Sequence, residues 1–310
     1  MSEILEIKIA VEENIISSPG VVGIGLGIDI ENKPEINIYI LNENVIVPKQ
    51  IGGAKVNTIV TGEIKALTVL EDNRLQKFRP APGGVSIGNY RITAGTLGSL
   101  VYDNDTEEPL ILSNFHVLAG SNDAVIGEPI VQPGKHDGGI LPDNIIATLH
   151  KFIPLKNNGI VDCATAKPIN PTDIIPDIMG IGIPYGSSEP IINTDVIKSG
   201  RTTKVTEGRI VDINATVLVN YGILGNIVLT NQIVTFPAMS SEGDSGSILL
   251  RKSDNVAVGL LCSGSSNVTV SCPIKEVLKQ LNIHFSEQKG KVNIVVLVLV
   301  LVLLIMFIVR

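Results

Sequence analysis

Ser245 lies in "SSEGDSGSILL", residues 240 to 250, flanked by Asp244 and Gly246 and followed by an apolar run. Glycine, aspartate and serine also build ordinary turns, because they tolerate tight backbone geometry and cap their own amides. The chemical alternative is a serine nucleophile on a tight turn. The glycines at 243 and 246 keep side chains away, so that backbone N–H groups can face a reacting carbonyl. That chemistry needs a histidine to take the serine proton and a buried acid to orient the histidine.

Of the four histidines, His116 stands apart. In "LILSNFHVLAG" an apolar strand delivers a polar Ser113-Asn114 pair and then the imidazole just before a turn, which would present it to a cleft. His136 in "PGKHDGG" and His150 at the end of "IIATLH" read as surface residues, and His284 has no acidic or nucleophilic neighbour in sequence. Asp162 stands inside the apolar stretch "GIVDCATAKPI". A carboxylate there is costly to bury unless it is paired, and a histidine N–H would justify it; a turn-capping role is the alternative. Asp123, Asp137 and Asp143 sit in loops and read as solvated.

The order His116, Asp162, Ser245 resembles that of the trypsin-like, chymotrypsin-fold serine peptidases. "SNFHVL" is similar to the histidine motif of that family, "VDCATA" to its aspartate motif and "EGDSGS" to its serine motif. "VGLLCSG" resembles the strand that pairs with bound substrate. An α/β segment before the barrel and "GRTT" after the aspartate strand look like the bacterial trypsin-like proteins related to the plant NARROW LEAF protein. This likeness covers about residues 18 to 283.

The resemblance implies a serine endopeptidase that hydrolyses peptide bonds through a His116, Asp162, Ser245 triad and an acyl-enzyme. It implies an oxyanion hole from the backbone of Gly243 and Ser245, and a substrate pocket at Met239, Cys262, Ser263 and Gly264, with Met239 as an apolar floor. Two departures stand out. Ser247 replaces a glycine of the family motif. Asp244 is the acid that in trypsins pairs with a freed N-terminus, yet no activation site accompanies it, so the hole is preformed by other contacts, "RPAPGG" is cut, or the enzyme stays inactive. The last option leaves a second reading, a latent trypsin-like fold that acts as a peptide-binding or scaffolding module. An α/β-hydrolase esterase is disfavoured, since that fold wants G-x-S-x-G and serine first in chain order.

The elements that must position these residues read as mainly β. The 310 residues are 44% hydrophobic, 18% charged and 4% aromatic, without Trp, and Val and Ile fill the gap. After residue 84, short Val/Ile-rich runs alternate with Gly, Pro and Asn turns, which indicates a sandwich or barrel. The resemblance makes this a chymotrypsin-like double six-stranded β-barrel, preceded by a small α/β segment. A helix over residues 3 to 17, strands at "VVGIGLGIDI", "EINIYIL" and "AKVNTIV", and a late helix "IKEVLKQL" are expected. The G-x-G-x-G of the first strand lacks the following helix that a dinucleotide loop requires. A charged, Pro/Gly-rich linker, "EDNRLQKFRPAPGG", places a boundary at residue 78, giving an N-terminal segment 1–78 and a peptidase domain 79–285.

Net charge is −7 with no Lys/Arg run, so no nucleic-acid partner is expected and a polypeptide is the implied substrate. Three scattered cysteines, with no C-x-x-C, indicate buried thiols and neither a disulfide framework nor a metal site; no cofactor is required. The N-terminus is not a secretory signal. Residues 294 to 309, "IVVLVLVLVLLIMFIV", are wholly apolar. They admit a membrane anchor, a buried core segment or an unselected gene end. The anchor is favoured, as a C-terminal helix over 292–309, and Lys289 and Lys291 before it keep the main domain cytoplasmic or tethered facing the cytoplasm.

Overall fold

A computed structural model describes residues 2–62 and 73–286. The expected tail helix over 292–309 lies outside the described residues, among which no helix is long and apolar enough to cross a membrane. The chain divides into two compact units, residues 1–72 and 73–310.

In the first unit a helix, α1 (Ser2–Ile16), precedes strands β1 (Val21–Ile28), β2 (Pro34–Ile40), β3 (Gln50–Ile51) and β4 (Ala54–Val60), in the sheet order β1-β2-β4-β3. Alternate side chains of β2, Ile36, Ile38 and Ile40, point to one face, where Ile4, Ile7 and Ile15 of α1 pack against them. Spacings of three and eight put those three residues on one side of the helix. Gly23, Gly25 and Gly27 lie within β1, paired to β2, so the G-x-G-x-G stretch is sheet and opens no helix.

The second unit begins with β5 (Ala81–Gly83), β6 (Ser86–Asn89), β7 (Gly95–Thr96), β8 (Ser99–Asp103) and β9 (Pro109–Ser113). A four-residue helix follows, α2 (Phe115–Leu118), then β10 (Pro129–Val131), β11 (Ile145–Phe152), β12 (Ala164–Pro168) and β13 (Ile174–Ile178). Next come β14 (Asp195–Gly200), the long hairpin β15 (Lys204–Asn220) and β16 (Asn226–Phe236), and β17 (Ile248–Arg251). The unit closes with β18 (Ala257–Gly264), β19 (Thr269–Pro273), α3 (Ile274–Leu281) and β20 (Ile283–His284). Strands β14-β15-β16-β19-β18-β17 close a six-stranded barrel. The other large sheet runs β20-β8-β9-β12-β11-β10-β6-β7, six strands flanked at its ends by the two-residue β20 and β7.

The linker does not read as a linker throughout. Residues 73–78, counted with the N-terminal segment by the sequence boundary, fall in the second unit. There Arg74, only 1% exposed, donates to Ser199 Oγ at 2.5 Å and to the carbonyls of Gly200 and Met179 at 3.0 and 3.3 Å. A buried guanidinium is tolerated because polar partners surround it. One apolar cluster, including Leu97, Leu112, Phe115, Ile248, Leu260 and Cys272, draws from both sheets of this unit, so they share a core.

Candidate active site

β9 pairs with β12 in a register that sets Ser113 opposite Ala164. The chain therefore leaves β9 into α2, carrying His116, at the end of the sheet where Asp162 leads into β12. Asn114 Nδ2 donates to the Asp162 carbonyl at 2.7 Å, which ties the two segments together. His116 Nδ1 is 2.6 Å from Asp162 Oδ2, and the His116 backbone N–H donates to Asp162 Oδ1 at 3.2 Å. A carboxylate only accepts, so Nδ1 carries the proton and Nε2 is left as the basic nitrogen. The carboxylate is fully buried, while the imidazole side chain is 25% exposed.

Ser245 lies in the loop between β16 and β17, and with His116 it lines one cleft of about 1670 Å³. The loop is held from two sides. Thr96 N–H donates to the Ser245 carbonyl at 2.8 Å, Thr96 Oγ1 to the Gly243 carbonyl at 2.8 Å, and Gly246 N–H to the Leu261 carbonyl at 2.9 Å. Gly246 has φ +99°, and a Cβ there would collide with Ser113 Oγ and Thr96 O, so the motif's second glycine is demanded by space as well as by dihedral. Ser247, the departure from the family motif, donates its hydroxyl to the Asp244 carbonyl at 2.6 Å within the same turn. Among the described residues, the hydrogen bond recorded for Ser245 Oγ goes to the Cys262 carbonyl, at 3.4 Å.

Gly243 has φ +93°. Thr202 Oγ1 donates to the Glu242 carbonyl at 2.7 Å, and a trans peptide points its N–H opposite to its C=O. The Gly243 N–H is thus turned away from Thr202. Among the described residues neither it nor the Ser245 N–H has a protein acceptor, and both residues border the cleft.

Asp244 shows why this loop holds its shape. Its carboxylate, with no exposure, accepts from Thr202 N–H (2.9 Å), Thr203 N–H (3.1 Å), Thr203 Oγ1 (2.6 Å) and Ser241 N–H (3.0 Å). Lys198 Nζ, equally buried on β14, completes the shell at 3.2 Å. Burial pushes the Asp244 carboxyl up, but the Lys198 charge and the hydrogen bonds outweigh it and hold it below the usual carboxylate range. For Lys198 burial wins over the attraction of Asp244, and its ammonium deprotonates more easily than usual.

One loop acid differs from its sequence reading. Asp137 is not solvated: with a side chain 3% exposed, it accepts from Arg201 Nε at 2.7 Å, Arg201 Nη2 at 2.5 Å and Ser86 Oγ at 2.5 Å. This pair backs the loop that carries Gly243, because a Cβ on Gly243 would strike Arg201 Nη1. His136 is exposed and borders the cleft. His150 and His284 are remote from it, facing Thr165 and Asn104.

The four pocket residues Met239, Cys262, Ser263 and Gly264 all border the cleft. Met239 is nevertheless 1% exposed and packs in a core cluster with Val196, Ile210, Ile233, Leu249 and Val258. Polar contacts tie the segments beside it. Ser240 Oγ and Thr269 Oγ1 are 2.7 Å apart, Met239 N–H donates to Thr269 Oγ1 at 3.0 Å, and a Cβ on Gly264 would sit 3.0 Å from Ser240 Oγ. The segments at 239–240 and 264–269 are thereby tied to each other. Sequence reading missed Lys198, Thr269 and Tyr221, whose hydroxyl reaches Asp162. All three cysteines are buried and free, and burial raises the Cys163 thiol well above its usual range.

No protein-family model and no curated protein matches the chain. Among solved structures it is similar to the Nocardiopsis protease NAPase, at 18% identity and TM-score 0.50, over 66% of this chain and 97% of that one. It also matches a glutamic acid specific serine protease (19% identity, TM-score 0.49, 66% and 100%) and Thermobifida fusca protease A (20%, 0.48, 67% and 98%). The Nocardiopsis likeness shows the fold, the chymotrypsin-like β architecture expected from the motifs.

Proposed function

We propose that the chain is a serine endopeptidase with Ser245 as nucleophile, His116 as general base and Asp162 as the orienting acid. The observation that carries this reading is the buried Asp162 carboxylate 2.6 Å from His116 Nδ1, in a cleft that Ser245 shares. The bond fixes the tautomer that leaves Nε2 free to take the Ser245 proton as Oγ attacks a peptide carbonyl, and to return it to the leaving amine. In the structure Oγ points to the Cys262 carbonyl, and hydrogen bonds between nucleophile and base tighten once substrate is present. The N–H groups of Gly243 and Ser245 would bind the oxyanion, aimed there before substrate arrives.

The Lys198–Asp244 pair supports activity without processing, because an internal ammonium occupies the role a freed N-terminus has in trypsins. That weakens the case for a latent binding module. The apolar Met239 bordering the cleft, held beside the Ser240–Thr269 tie, argues against arginine or lysine before the scissile bond and favours an apolar residue there. The finer kinship with NARROW LEAF-related proteins rests on the α/β segment and "GRTT". Membrane tethering and a cytoplasmic-facing domain rest on the apolar run at 294–309.

The direct test is to treat the full chain with a fluorophosphonate probe and map the label by mass spectrometry, with Ser245→Ala as control. Labelling at Ser245 is expected. A folded chain that takes no label would overturn the assignment.

A further inference from the structure

Asp162 has a second side-chain partner that no motif announced. Tyr221 Oη donates to Asp162 Oδ2 at 3.0 Å, the same oxygen that receives His116 Nδ1, and the tyrosine ring stands edge-on to the imidazole at 5.6 Å and 62°. Without this phenol, both donors to the carboxylate, Nδ1 and the backbone N–H, would belong to His116 itself. A carboxylate held only by the group it is meant to orient has no independent reference. Tyr221 supplies one from another strand pair.

We propose that Tyr221 is a positioning residue of the triad, fixing Asp162 so that its Oδ2 stays on His116 Nδ1 while its ring edge limits swing of the imidazole. This rests on the serine-peptidase reading of the site. Tyr221 follows β15 at the tip of the long hairpin, where its N–H donates to the Gly225 carbonyl at 2.9 Å. The hairpin is stitched to the segment leading into Asp162. Asn158 N–H donates to the Val228 carbonyl at 2.9 Å, Thr230 N–H to the Gly159 carbonyl at 2.9 Å, and Gln232 Nε2 to the Ile160 carbonyl at 2.7 Å. Phenol and carboxylate are therefore carried by segments that cannot drift apart independently.

The other titratable groups near this carboxylate cannot take over the task. Cys163 is its neighbour in the chain, Cys272 faces it from β19, and Cys262 on β18 lies beside the Tyr221 phenol. Cys272 Sγ accepts the Asp162 N–H at 3.3 Å, and thiols are weak donors. Burial first, and then the charge of Asp162, push the Tyr221 phenol far above its ordinary range, so it remains a protonated donor at any working pH.

The test compares the full-length wild type with Tyr221→Phe, which keeps the ring and removes only the hydroxyl. Two readouts are needed: the proton resonance of His116 Nδ1–H by NMR, and kcat and KM on a peptide substrate. Loss of the phenol frees the carboxylate to swing off Nδ1, so the resonance is expected to move upfield, and kcat to fall about tenfold with KM unchanged. Tyr221→Leu, which also removes the ring edge, should lower kcat further. An unchanged Nδ1–H resonance in Tyr221→Phe overturns the proposal whatever the rate does. If the wild type neither labels at Ser245 nor cleaves peptides, the peptidase reading fails, while the resonance still decides whether Tyr221 holds Asp162.

Discussion

Lys198 Nζ stands 3.2 Å from Asp244 Oδ2, and neither side chain has any exposed surface. Asp244 immediately precedes Ser245, so this ion pair fixes the backbone from which the Ser245 side chain and the N–H groups of Gly243 and Ser245 project. The gain depends on the pair being whole. Two buried charges roughly offset their own desolvation, whereas one alone is strongly unfavourable.

Lys198→Met should therefore destabilise the fold by about 3–5 kcal/mol and abolish probe labelling of Ser245. Adding Asp244→Asn should recover most of the stability, since no uncompensated charge remains, without recovering full labelling. Denaturant unfolding of the three proteins checks the first expectation and labelling rates check the second. Equal stability of the Lys198→Met variant and wild type would contradict the ion-pair account.

The same carboxylate predicts an acid limb. Asp244 is held below the usual range in the folded protein, so it contributes stability that is fully present above the unfolded carboxyl value of about 3.9. That contribution is lost as pH falls below this value and through the folded one. Lys198 is protonated in both states across this interval and adds no slope. Unfolding free energies between roughly pH 2.5 and 6 should fall more steeply in wild type than in Lys198→Met with Asp244→Asn. Parallel curves would show that Asp244 is not the group responsible.

Ser245→Ala should lower turnover of a peptide substrate by about a millionfold while leaving peptide binding intact. Steady-state cleavage of an unstructured protein, alongside retention of the same peptides on the variant, reads both. A variant that cleaves at the wild-type rate would remove Ser245 as nucleophile.

Thr269→Ala unties Ser240 from β19 and deprives the Met239 N–H of its acceptor. The cleft wall carrying Ser240 and Gly264 should then loosen and widen the pocket, and kcat/KM for leucine before the scissile bond, relative to alanine, should rise about tenfold. A matched pair of peptides differing only at that position measures the ratio. If the ratio is unmoved, Thr269 does not set the width.

Much of this site was legible because its chemistry is written in short motifs. Gly243, Asp244, Ser245 and Gly246 are adjacent, and positive φ at both glycines is a local demand that residue type satisfies directly. Asp162 announced itself as an acid in an apolar run, and His116 as an imidazole at the end of a strand; amphipathic spacing likewise marked α3, whose Ile274, Val277, Leu278 and Leu281 are buried. The boundary at 78 was less legible, because Arg74 looks like part of a charged linker until its buried partners across the chain are seen.

What the sequence determined by itself was the order and identity of the reactive groups and the predominance of short strands, since these follow from residue type and period. The tertiary structure alone decided what holds those groups. Lys198 is 46 residues from Asp244, Tyr221 is 59 from Asp162, and Arg201 is 64 from Asp137. Such partners meet through strand register and hairpin length, which no spacing rule within a single segment encodes. A lysine in "VIKSG" or a tyrosine at a turn looks exposed until burial closes around it, and only then does the cost of an unpaired charge or hydroxyl make the pairing obligatory.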